Sequence, residues 1–323
     1  MNISTYHILN LEPDHYSPVA SSILLSLGEV TNGPLTRAQF LQHIDEFDIL
    51  IVRLGFQIDH EVLDRGSHLK VIVSATTGLD HIDITYAQTR AIAILSLQGE
   101  YEFLRSIPAT AEHTWALLLA LERHVPAAVL SVLEGKWDRD LFRGHDLAGK
   151  TLGILGMGRI GEKVAHYGMS FGMRVIAYDP LCVSWPKYVE RTTNQKDLLQ
   201  QSQVFSIHVP LNDETRGMIK TEELHFLPED ALLINTARGE ILDERALLVA
   251  LEQGRIAGAA LDVIWNERIE TPQRSALLRY AREHDNLLIT PHIGGATFES
   301  MAATEIFMAR KLVMLLNSLA VNN

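Results

Sequence analysis

The sequence predicts an α/β protein in which helices cover parallel sheets, because short apolar runs rich in β-branched residues alternate with helical segments. The alternation occurs in two series, one near the N-terminus and one from Thr151 onward. A chain of 323 residues is also long for a single core and of ordinary size for two. We therefore expect two doubly wound units.

The N-terminal series contains three strand candidates, at 48–54, 70–75 and 91–97, with short helices between them at 59–65 and 83–90. Each strand is a continuous apolar run, such as DILIVRL, and not an alternation of apolar and polar residues. Continuous runs are typical of a parallel sheet that is buried on both faces. The N-terminal series is thus predicted to form a small α/β layer.

A long helix is predicted at 108–123, because Pro108 suits a first helical turn and apolar residues surround much of the axis. Such a helix is either deeply buried or part of a subunit contact. The polar stretch 135–150 follows it and is predicted to be an exposed loop or arm.

The second series predicts strands at 151–155, 174–178, 204–209, 231–235, 256–263 and 286–290. Asp243 is a good N-cap and Gly254 a good C-terminal glycine for the helix between the fourth and fifth of these. Six such strands match the doubly wound sheet that binds dinucleotides. A final amphipathic helix is predicted at 298–319.

The composition excludes several classes of function. With 28 basic and 40 acidic residues the net charge is -12, which argues against nucleic acid or an anionic membrane as the main partner. The single cysteine, Cys182, can form neither an intramolecular disulfide nor a thiolate metal site. The N-terminus lacks the pattern of a signal peptide, and no apolar run approaches the length of a membrane span. We expect a cytoplasmic protein.

A glycine-rich motif, Gly156-Met-Gly158-Arg-Ile-Gly161, directly follows the strand TLGIL and opens a helix. In this context the glycines allow a tight turn, close approach of a pyrophosphate and close packing of helix on strand, and the helix N-terminus faces the phosphates. The next strand ends at Asp179, where a carboxylate binds the adenosine ribose and repels a 2′-phosphate. The motif therefore predicts NAD in preference to NADP.

Three polar residues follow later strands, at the edge where open α/β sheets bind ligands: Arg238, Glu267 and His292. An arginine can bind a carboxylate bidentately and polarise a carbonyl, and a histidine can give a proton to the oxygen as a hydride arrives. A neighbouring glutamate would stabilise the charged imidazole. Together they suit reduction of a 2-oxo acid.

Other catalytic chemistries lack their motifs in this sequence. No G-x-S-x-G elbow is present for a serine hydrolase, and no cluster of histidines and carboxylates is spaced for a metal. We therefore predict no metal site.

Several motifs together resemble the D-isomer-specific 2-hydroxyacid dehydrogenases, and within that family most of all the D-3-phosphoglycerate dehydrogenases. In chain order they are GKTLGILGMGRIG, FGMRVIAYDP, HVPLNDETRGMI, INTARGEILDERALLVALEQGRIAGAALDV and TPHIGGAT. The resemblance covers nearly the whole chain and is strongest from 146 to 296.

The resemblance implies two Rossmann-like domains, with an NAD-binding domain at 104–295 inserted into a flavodoxin-like substrate domain at 1–103 and 296–323. It also implies a homodimer formed mainly through the NAD-binding domain, by way of the long helix and the arm. A small D-2-hydroxy acid, or the corresponding 2-oxo acid, would be the substrate, with 3-phosphoglycerate and phosphohydroxypyruvate among the candidates.

By the same resemblance, the catalytic residues are Arg238, Glu267 and His292. Substrate contacts are implied for Arg53, for the backbone of Thr77 and Gly78, and for Arg238. Asp262 would face the nicotinamide carboxamide. Cofactor contacts are implied for Thr77, Gly156, Gly158, Arg159, Ile160, Gly161, Asp179, Val209, Pro210, Thr215, Thr236, Ala237, Arg238, Asp262, His292 and Gly294.

The chain departs from the family pattern at two places. The usual Phe-Glu-x-Glu-Pro is replaced by the run from Ile264 to Arg268, which keeps only the glutamate at the expected offset. Phosphoglycerate enzymes often carry an arginine where this chain has Ser74, so Arg53 would be the single arginine for a phosphate. The second departure counts against a phosphorylated substrate.

Two other functions remain open at this stage. A formate dehydrogenase pairs its histidine with glutamine, and Glu267 argues against it. An NADH-sensing binding protein, like the co-repressor branch of the family, would keep the same three polar residues.

Overall fold

The computed structural model describes residues 6–265, 267 and 275–321, and the chain divides into two compact units. Unit 1 comprises Met1–Ile107 and Ala296–Asn323, and unit 2 comprises Pro108–Gly295. Unit 2 is therefore an insertion between the two segments of unit 1.

Unit 1 contains a parallel sheet of five strands in the order β2-β1-β3-β4-β5. The strands are β1 (Tyr6–Asn10), β2 (Gly28–Asn32), β3 (Ile49–Val52), β4 (Val71–Ser74) and β5 (Ala93–Leu95). The helices are α1 (Pro18–Leu25), α2 (Arg37–His43), α3 (His60–Arg65), α4 (Ile84–Thr89), α5 (Tyr101–Leu104) and, after the insertion, α13 (Phe298–Val321), with a 3₁₀ turn at Ile44–Glu46. This order is that of the flavodoxin-like fold.

Unit 2 contains a parallel sheet in the order β12-β11-β10-β9-β6-β7-β8. Its strands are β6 (Thr151–Leu155), β7 (Arg174–Tyr178), β8 (Glu190–Arg191), β9 (Val204–Ile207), β10 (Leu232–Asn235), β11 (Gly258–Leu261) and β12 (Leu287–Ile289). Numbered within the unit, this is the doubly wound order 3-2-1-4-5-6 of the Rossmann fold with one more strand beyond it.

The helices of unit 2 lie on both faces of this sheet. They are α6 (Ala109–Glu122), α7 (Val125–Leu133), α8 (Arg159–Ser170), α9 (Gln195–Gln201), α10 (Thr221–Phe226), α11 (Glu244–Glu252) and α12 (Ala276–Glu283), with 3₁₀ turns at Asp140–Phe142 and Gly239–Ile241. Asp243 caps α11 by accepting the N–H groups of Arg245 and Ala246 on Oδ1, and Gly254 follows the helix with φ +63°. Both of these boundary predictions are confirmed.

Each sheet is covered by an apolar core on either face. In unit 1, side chains of α2, α3 and α4 cover one face and those of α1 and α13 cover the other. In unit 2, α6 and α8 cover one face and α9 to α12 cover the other. Strands such as β3 and β9 are buried at every position, which explains why they are continuous apolar runs in the sequence.

The predicted α/β class with two Rossmann-like parallel sheets is confirmed, but several elements were not predicted, among them α1, α2 and α5 of unit 1. Strands β1 and β2 precede the first predicted strand, β8 has only two residues, and α7 lies between the predicted long helix and the arm. β2 is half-exposed and contains glycine and asparagine, and β8 is exposed, so neither has the apolar pattern that identifies the other strands.

No single helix among the described residues is long and apolar enough to cross a membrane. The segments Tyr101–Glu122 and Val125–Leu133 meet the criteria of length and composition only as a pair that is bent by 61°.

His208 directly follows β9 and is partly exposed as a residue, but Nδ1 of its imidazole is enclosed by the protein. Nε2 of His208 lies 2.7 Å from Oγ of Ser206, and Nδ1 has no hydrogen-bond partner among the described residues. Burial lowers the pKa of His208 to about 3. The imidazole is therefore neutral in the folded protein at neutral pH.

This buried imidazole predicts a specific acid sensitivity. Because the folded-state pKa is depressed from 6.5, the unfolded chain binds one more proton as the pH falls from about 6.5 toward 3, and stability falls with it. We expect His208→Gln to lose about 2 kcal/mol less unfolding free energy than the wild type between pH 7 and pH 5. Urea denaturation at the two pH values measures this difference.

The matched control is His225→Gln, which replaces an exposed histidine on α10 and should reproduce the wild-type pH dependence. An equal loss of unfolding free energy between pH 7 and pH 5 in the wild type and in His208→Gln would show that His208 is not responsible for acid destabilisation.

Candidate active site

The polar residues predicted for the site in unit 2 follow strands of one parallel sheet. The glycine loop comes after β6, Asp179 after β7, Val209 after β9, and Arg238, Glu267 and His292 after β10, β11 and β12. Parallel strands present their carboxyl ends at one edge, where ligands of open α/β sheets bind.

The glycine loop has the geometry that its sequence predicts. Gly156 has φ +96°, and a Cβ there would lie 2.8 Å from the carbonyl carbon of His208. A Cβ on Gly161 would lie 2.1 Å from the carbonyl oxygen of Gly156. Neither position can therefore carry a side chain without a shift of the backbone.

Gly158 differs, because a Cβ there would meet no atom within 4 Å. Gly158 is the N-cap of α8, and because glycine has no side chain, no capping group accepts the N–H groups of the first helical turn. Open space beside uncapped N–H groups at a helix N-terminus is what a bound phosphate requires. The loop thus fits the pyrophosphate of a dinucleotide.

Arg159 begins α8 and supplies a positive charge at the same place. Its guanidinium is partly buried, and burial lowers the pKa of Arg159. Within the described part of the chain this guanidinium has no hydrogen bond or ion pair. A half-buried cation without a protein counter-ion fits an anionic ligand, which adds to the fit of the pyrophosphate.

Asp179 directly follows β7 and is hydrogen-bonded to the glycine loop. Its Oδ2 accepts the N–H of Met157 at 2.8 Å, and its Oδ1 accepts the N–H of Leu181 at 2.8 Å. The carboxylate is thereby placed beside the loop, at the position where the ribose of NAD is bound in this fold.

The imidazole of His292 contacts the carboxylate of Glu267. Nδ1 of His292 lies 2.6 Å from Oε1 of Glu267, and both side chains are about one-quarter exposed, at 23% and 27%. A carboxylate oxygen can only accept, so Nδ1 carries the hydrogen of this bond and Nε2 is the ring nitrogen that Glu267 does not engage. The two residues come together although they follow different strands.

The backbone at His292 is in the left-handed region, with φ +54°. This conformation is uncommon for a residue other than glycine. The N–H of His292 donates to the carbonyl of Asp262 at 2.9 Å and to that of Thr290 at 3.0 Å. The hydrogen bonds hold the strained residue in place.

The carboxylate of Asp262, at the end of β11, is 1% exposed and binds the loop that carries His292. Oδ1 accepts the hydroxyl of Thr290 at 2.6 Å and the N–H of Ile293 at 2.9 Å, and Oδ2 accepts the N–H of Gly294 at 2.7 Å. Burial by itself raises the pKa of Asp262, but the hydrogen bonds from His113 first, and then from Thr290, Ile293 and Gly294, outweigh burial and hold the pKa below its ordinary value. Asp262 is therefore an ionised anchor of this loop, which sequence reasoning alone did not indicate.

Arg238 follows β10 in a turn that is closed by Asn235. The side-chain amide of Asn235 donates to the carbonyl of Arg238 at 2.9 Å, and its oxygen accepts the N–H of Ala237 at 3.0 Å. The guanidinium of Arg238 donates to the carbonyl of Ala237 at 2.7 Å and is partly exposed. Asn235 was not predicted as a site residue, although its position at the strand end resembles those of the others.

The loop before Glu267 packs on this turn. A Cβ on Gly239 would lie 2.2 Å from the carbonyl carbon of Ile264, so the two backbones are in direct contact. The Trp265 backbone N–H donates to Glu244, and its indole N–H donates to the carbonyl of Leu242 at 3.1 Å. These bonds hold the part of the loop that precedes Glu267; Asn266 and Arg268 lie outside the described residues.

The other predicted cofactor residues of unit 2 surround the same edge. Thr236 is buried and hydrogen-bonds Thr114 of α6 at 2.8 Å. The hydroxyl of Thr215 donates to the carbonyl of Pro210 at 2.6 Å and closes the loop after β9. Their contacts with a cofactor stay predictions.

In unit 1, Arg53 follows β3, and its guanidinium is hydrogen-bonded to other residues of the same unit. Its guanidinium donates to Oε1 of Glu305 at 3.3 Å and to the carbonyl oxygens of Glu12 at 2.7 Å and Asp14 at 3.2 Å. The side chain is 18% exposed, and that of Glu305 is 1% exposed. Arg53 thus neutralises a buried carboxylate on α13, and a role in substrate binding stays a prediction.

Thr77 and Gly78 lie in the segment that follows β4. The hydroxyl of Thr76 donates to the carbonyl of Gly78 at 2.7 Å, and the N–H of Leu97 donates to the carbonyl of Thr76 at 3.0 Å. Ser74 is fully buried, with its hydroxyl 2.8 Å from that of Thr76. These hydrogen bonds lie within the segment, in which Thr77 and Gly78 are partly exposed residues.

A sequence profile of the D-isomer-specific 2-hydroxyacid dehydrogenases, for their NAD-binding domain, matches residues 115–294. The hydroxypyruvate reductase of Thermotoga maritima is 36% identical over 287 residues, which are 88% of this chain and 90% of that protein. The D-3-phosphoglycerate dehydrogenase of Methanocaldococcus jannaschii is 36% identical over 94% of this chain, which spans only 56% of that longer protein.

A crystal structure of D-lactate dehydrogenase from Aquifex aeolicus, complexed with NAD and lactic acid, is similar to the fold of this chain. The TM-score is 0.83 at 28% sequence identity, and the match covers 97% of this chain and 96% of the other. The glycine loop, the strand order and these likenesses agree. The chain belongs to the D-isomer-specific 2-hydroxyacid dehydrogenase family, and it is an NAD-dependent dehydrogenase of that family.

Proposed function

We propose that this protein reduces a small, unphosphorylated 2-oxo acid to the D-2-hydroxy acid, with His292 as the proton donor. The observation that carries the proposal is the contact of 2.6 Å between Nδ1 of His292 and Oε1 of Glu267. It gives the imidazole a fixed tautomer and orientation at the same edge of the sheet as the dinucleotide loop.

His292 supplies the proton from Nε2 to the oxygen of the substrate. Glu267 accepts the hydrogen bond from Nδ1 and stabilises the imidazole in its protonated form. Bound NADH supplies the hydride, and the reverse reaction would use His292 as the base. Partial burial of both side chains strengthens their interaction and limits the access of water.

Arg238 binds the carboxylate of the substrate and polarises the carbonyl. Its guanidinium is partly exposed, and the Asn235 bonds and the Gly239 contact hold its turn against the loop that leads to Glu267. A planar guanidinium that is fixed in this way suits bidentate binding of a carboxylate.

The remaining contacts follow the domain assignment. We assign residues 104–295 to NAD binding, with contacts from Gly156, Gly158, Arg159, Ile160, Gly161, Asp179, Val209, Pro210, Thr215, Thr236, Ala237, Asp262 and Gly294 as well as Thr77. We assign residues 1–103 and 296–323 to the substrate, with contacts from Thr77 and Gly78.

The preference for an unphosphorylated substrate rests on the cations of unit 1. Arg53 follows β3 and is paired with Glu305, and Lys311 of α13 is paired with Glu100 at 2.5 Å. A phosphate dianion would have to compete with these carboxylates for either cation. Ser74, where phosphoglycerate enzymes often carry an arginine, is buried and uncharged.

A panel of 2-oxo acids tests the substrate class. Hydroxypyruvate and glyoxylate should be reduced with at least about tenfold higher kcat/KM than phosphohydroxypyruvate, because one missing charge contact is worth about that factor. Each assay follows the absorbance of NADH, with NADPH as a second cofactor. A preference for phosphohydroxypyruvate would overturn the substrate class, and faster turnover with NADPH would contradict the role of Asp179. Binding of NADH without oxidation by any of the acids would indicate a sensor.

The proton donor is tested by His292→Asn. This variant should lose at least about 100-fold in kcat, because general acid catalysis contributes that much or more, while its affinity for NADH stays near that of the wild type. Stopped-flow turnover and NADH fluorescence titration measure the two effects. The control is His225→Asn, on the exposed face of α10, which should behave as wild type. Wild-type turnover by His292→Asn would exclude His292 as the donor.

We also propose that the protein is a homodimer through α7 and the adjoining arm. Large apolar side chains are exposed there, including Leu130 at 61%, Leu133 at 78%, Trp137 at 89% and Leu141 at 70%. A cavity of about 370 Å³ at α6 and α8 is lined by Glu112, Trp115, Ala116, Leu119, Tyr167, Ser170 and Phe171. Many large apolar side chains exposed on one segment usually mark a protein interface.

Sedimentation equilibrium tests the dimer. The wild type should have twice the chain mass of 36.1 kDa, and Leu133→Asp should shift the equilibrium to the monomer, because it places a charge in an apolar interface. Val183→Asp is the control, since Val183 is 99% exposed and lies outside α7 and the arm. A monomeric wild type, or an unchanged Leu133→Asp, would contradict this interface.

A further inference from the structure

A second histidine, His113, contacts the loop that contains His292. His113 is on the buried helix α6, with its side chain 16% exposed. Its Nε2 is 3.0 Å from Oγ1 of Thr290 and 3.2 Å from Oδ1 of Asp262. The ring also borders Gly294, where a Cβ would lie 3.7 Å from Cδ2 of His113.

The hydrogen bonds determine which nitrogen of His113 carries a proton. The hydroxyl of Thr290 donates to Oδ1 of Asp262 at 2.6 Å, so its oxygen is an acceptor toward His113. The Asp262 carboxylate is also an acceptor. Nε2 therefore faces two acceptors and must carry the hydrogen, which it shares between them.

This N–H completes the set of donors around a buried charge. Asp262 already binds Thr290 and the N–H groups of Ile293 and Gly294, and its own carbonyl accepts the N–H of His292. A buried carboxylate that loses a donor is costly, and its remaining partners rearrange to compensate. Any rearrangement of residues 290–294 moves the imidazole of His292, whose backbone is already strained at φ +54°.

We infer that His113 is a positioning residue for proton transfer: through Thr290 and Asp262 it fixes the loop that aims Nε2 of His292 at the substrate. The inference rests on the proposed function of His292. His113 acts through hydrogen bonds and not through contact with the reacting atoms, since its Nε2 is directed at Thr290 and Asp262. A displacement of His292 on the order of 1 Å is enough to slow the chemical step by about 100-fold.

Two variants at position 113 separate positioning from simple packing. His113→Leu fills similar space without a donor, and His113→Gln keeps an N–H at a comparable distance along the side chain. We expect kcat to fall at least about tenfold in His113→Leu and to stay within about threefold of wild type in His113→Gln. The affinity for NADH, measured by fluorescence titration, should change less than about twofold in both.

Thr290→Val tests the same inference independently, because it removes the hydroxyl that links His113 to Asp262. It should also lower kcat at nearly constant affinity for NADH. If His113→Leu does not fold, Thr290→Val alone decides between the outcomes. The matched control is His225→Leu, which replaces an exposed histidine on α10 and should keep the wild-type kcat. Thermal melting of each variant verifies that the folded fraction is equal in the assays.

Wild-type kcat in His113→Leu or in Thr290→Val would overturn the inference, as would an equal loss in His113→Gln and His113→Leu. Failure of the proposed function has a different signature: the wild type would oxidise no NADH, or His292→Asn would turn over as fast as wild type. The inference alone fails when His292→Asn is inactive and either His113→Leu or Thr290→Val keeps the wild-type kcat.

Discussion

The buried carboxylate of Asp262 is the interaction on which the arrangement of the site depends. Ionised oxygens that are 1% exposed to solvent must be satisfied by the protein, and here the donors come from the chain segment that follows the next strand. The loop from Thr290 to Gly294 is therefore folded around this charge. His292, in the middle of the loop, is held in the left-handed conformation by the same set of bonds.

Two further close contacts bring the partners of His292 into position. The absence of a side chain at Gly239 allows the Arg238 turn to pack directly on the backbone of Ile264. Trp265 then fastens the next part of the loop to the start of α11 through its two N–H groups. Glu267 emerges from this anchored segment and contacts the imidazole at 2.6 Å. The changed sequence around Glu267 thus still brings the carboxylate into contact with His292.

Unit 1 has a different electrostatic organisation. The cations Arg53 and Lys311 are paired with Glu305 and Glu100, so they contribute to the fold of the unit. In the glycine loop of unit 2, by contrast, the partly buried Arg159 has no counter-ion in the described residues. A cation that the fold already neutralises is a weaker ligand for an anion than one that the fold leaves unpaired. Motif matching cannot make this distinction, because it counts arginines without their partners.

The sequence by itself determined the α/β class, the strands that are buried on both faces, the dinucleotide loop and the boundaries of α11. These features depend on local rules: apolar runs for buried parallel strands, glycines where a Cβ cannot fit, and aspartate at a helix N-terminus. The three polar residues at the strand ends could also be named, since strand order and direction place them at one edge.

Only the tertiary structure decided which side chains meet. The exposed strands β2 and β8 have no apolar pattern, since they form by pairing with a neighbouring strand. Asp262, His113 and Thr290 converge from three elements that are far apart in the chain, and the pairing of Arg53 joins β3 to a helix 252 residues later. Long-range hydrogen bonds between polar groups leave no periodicity in the sequence, because each depends on the packing of whole elements and not on the spacing of neighbours.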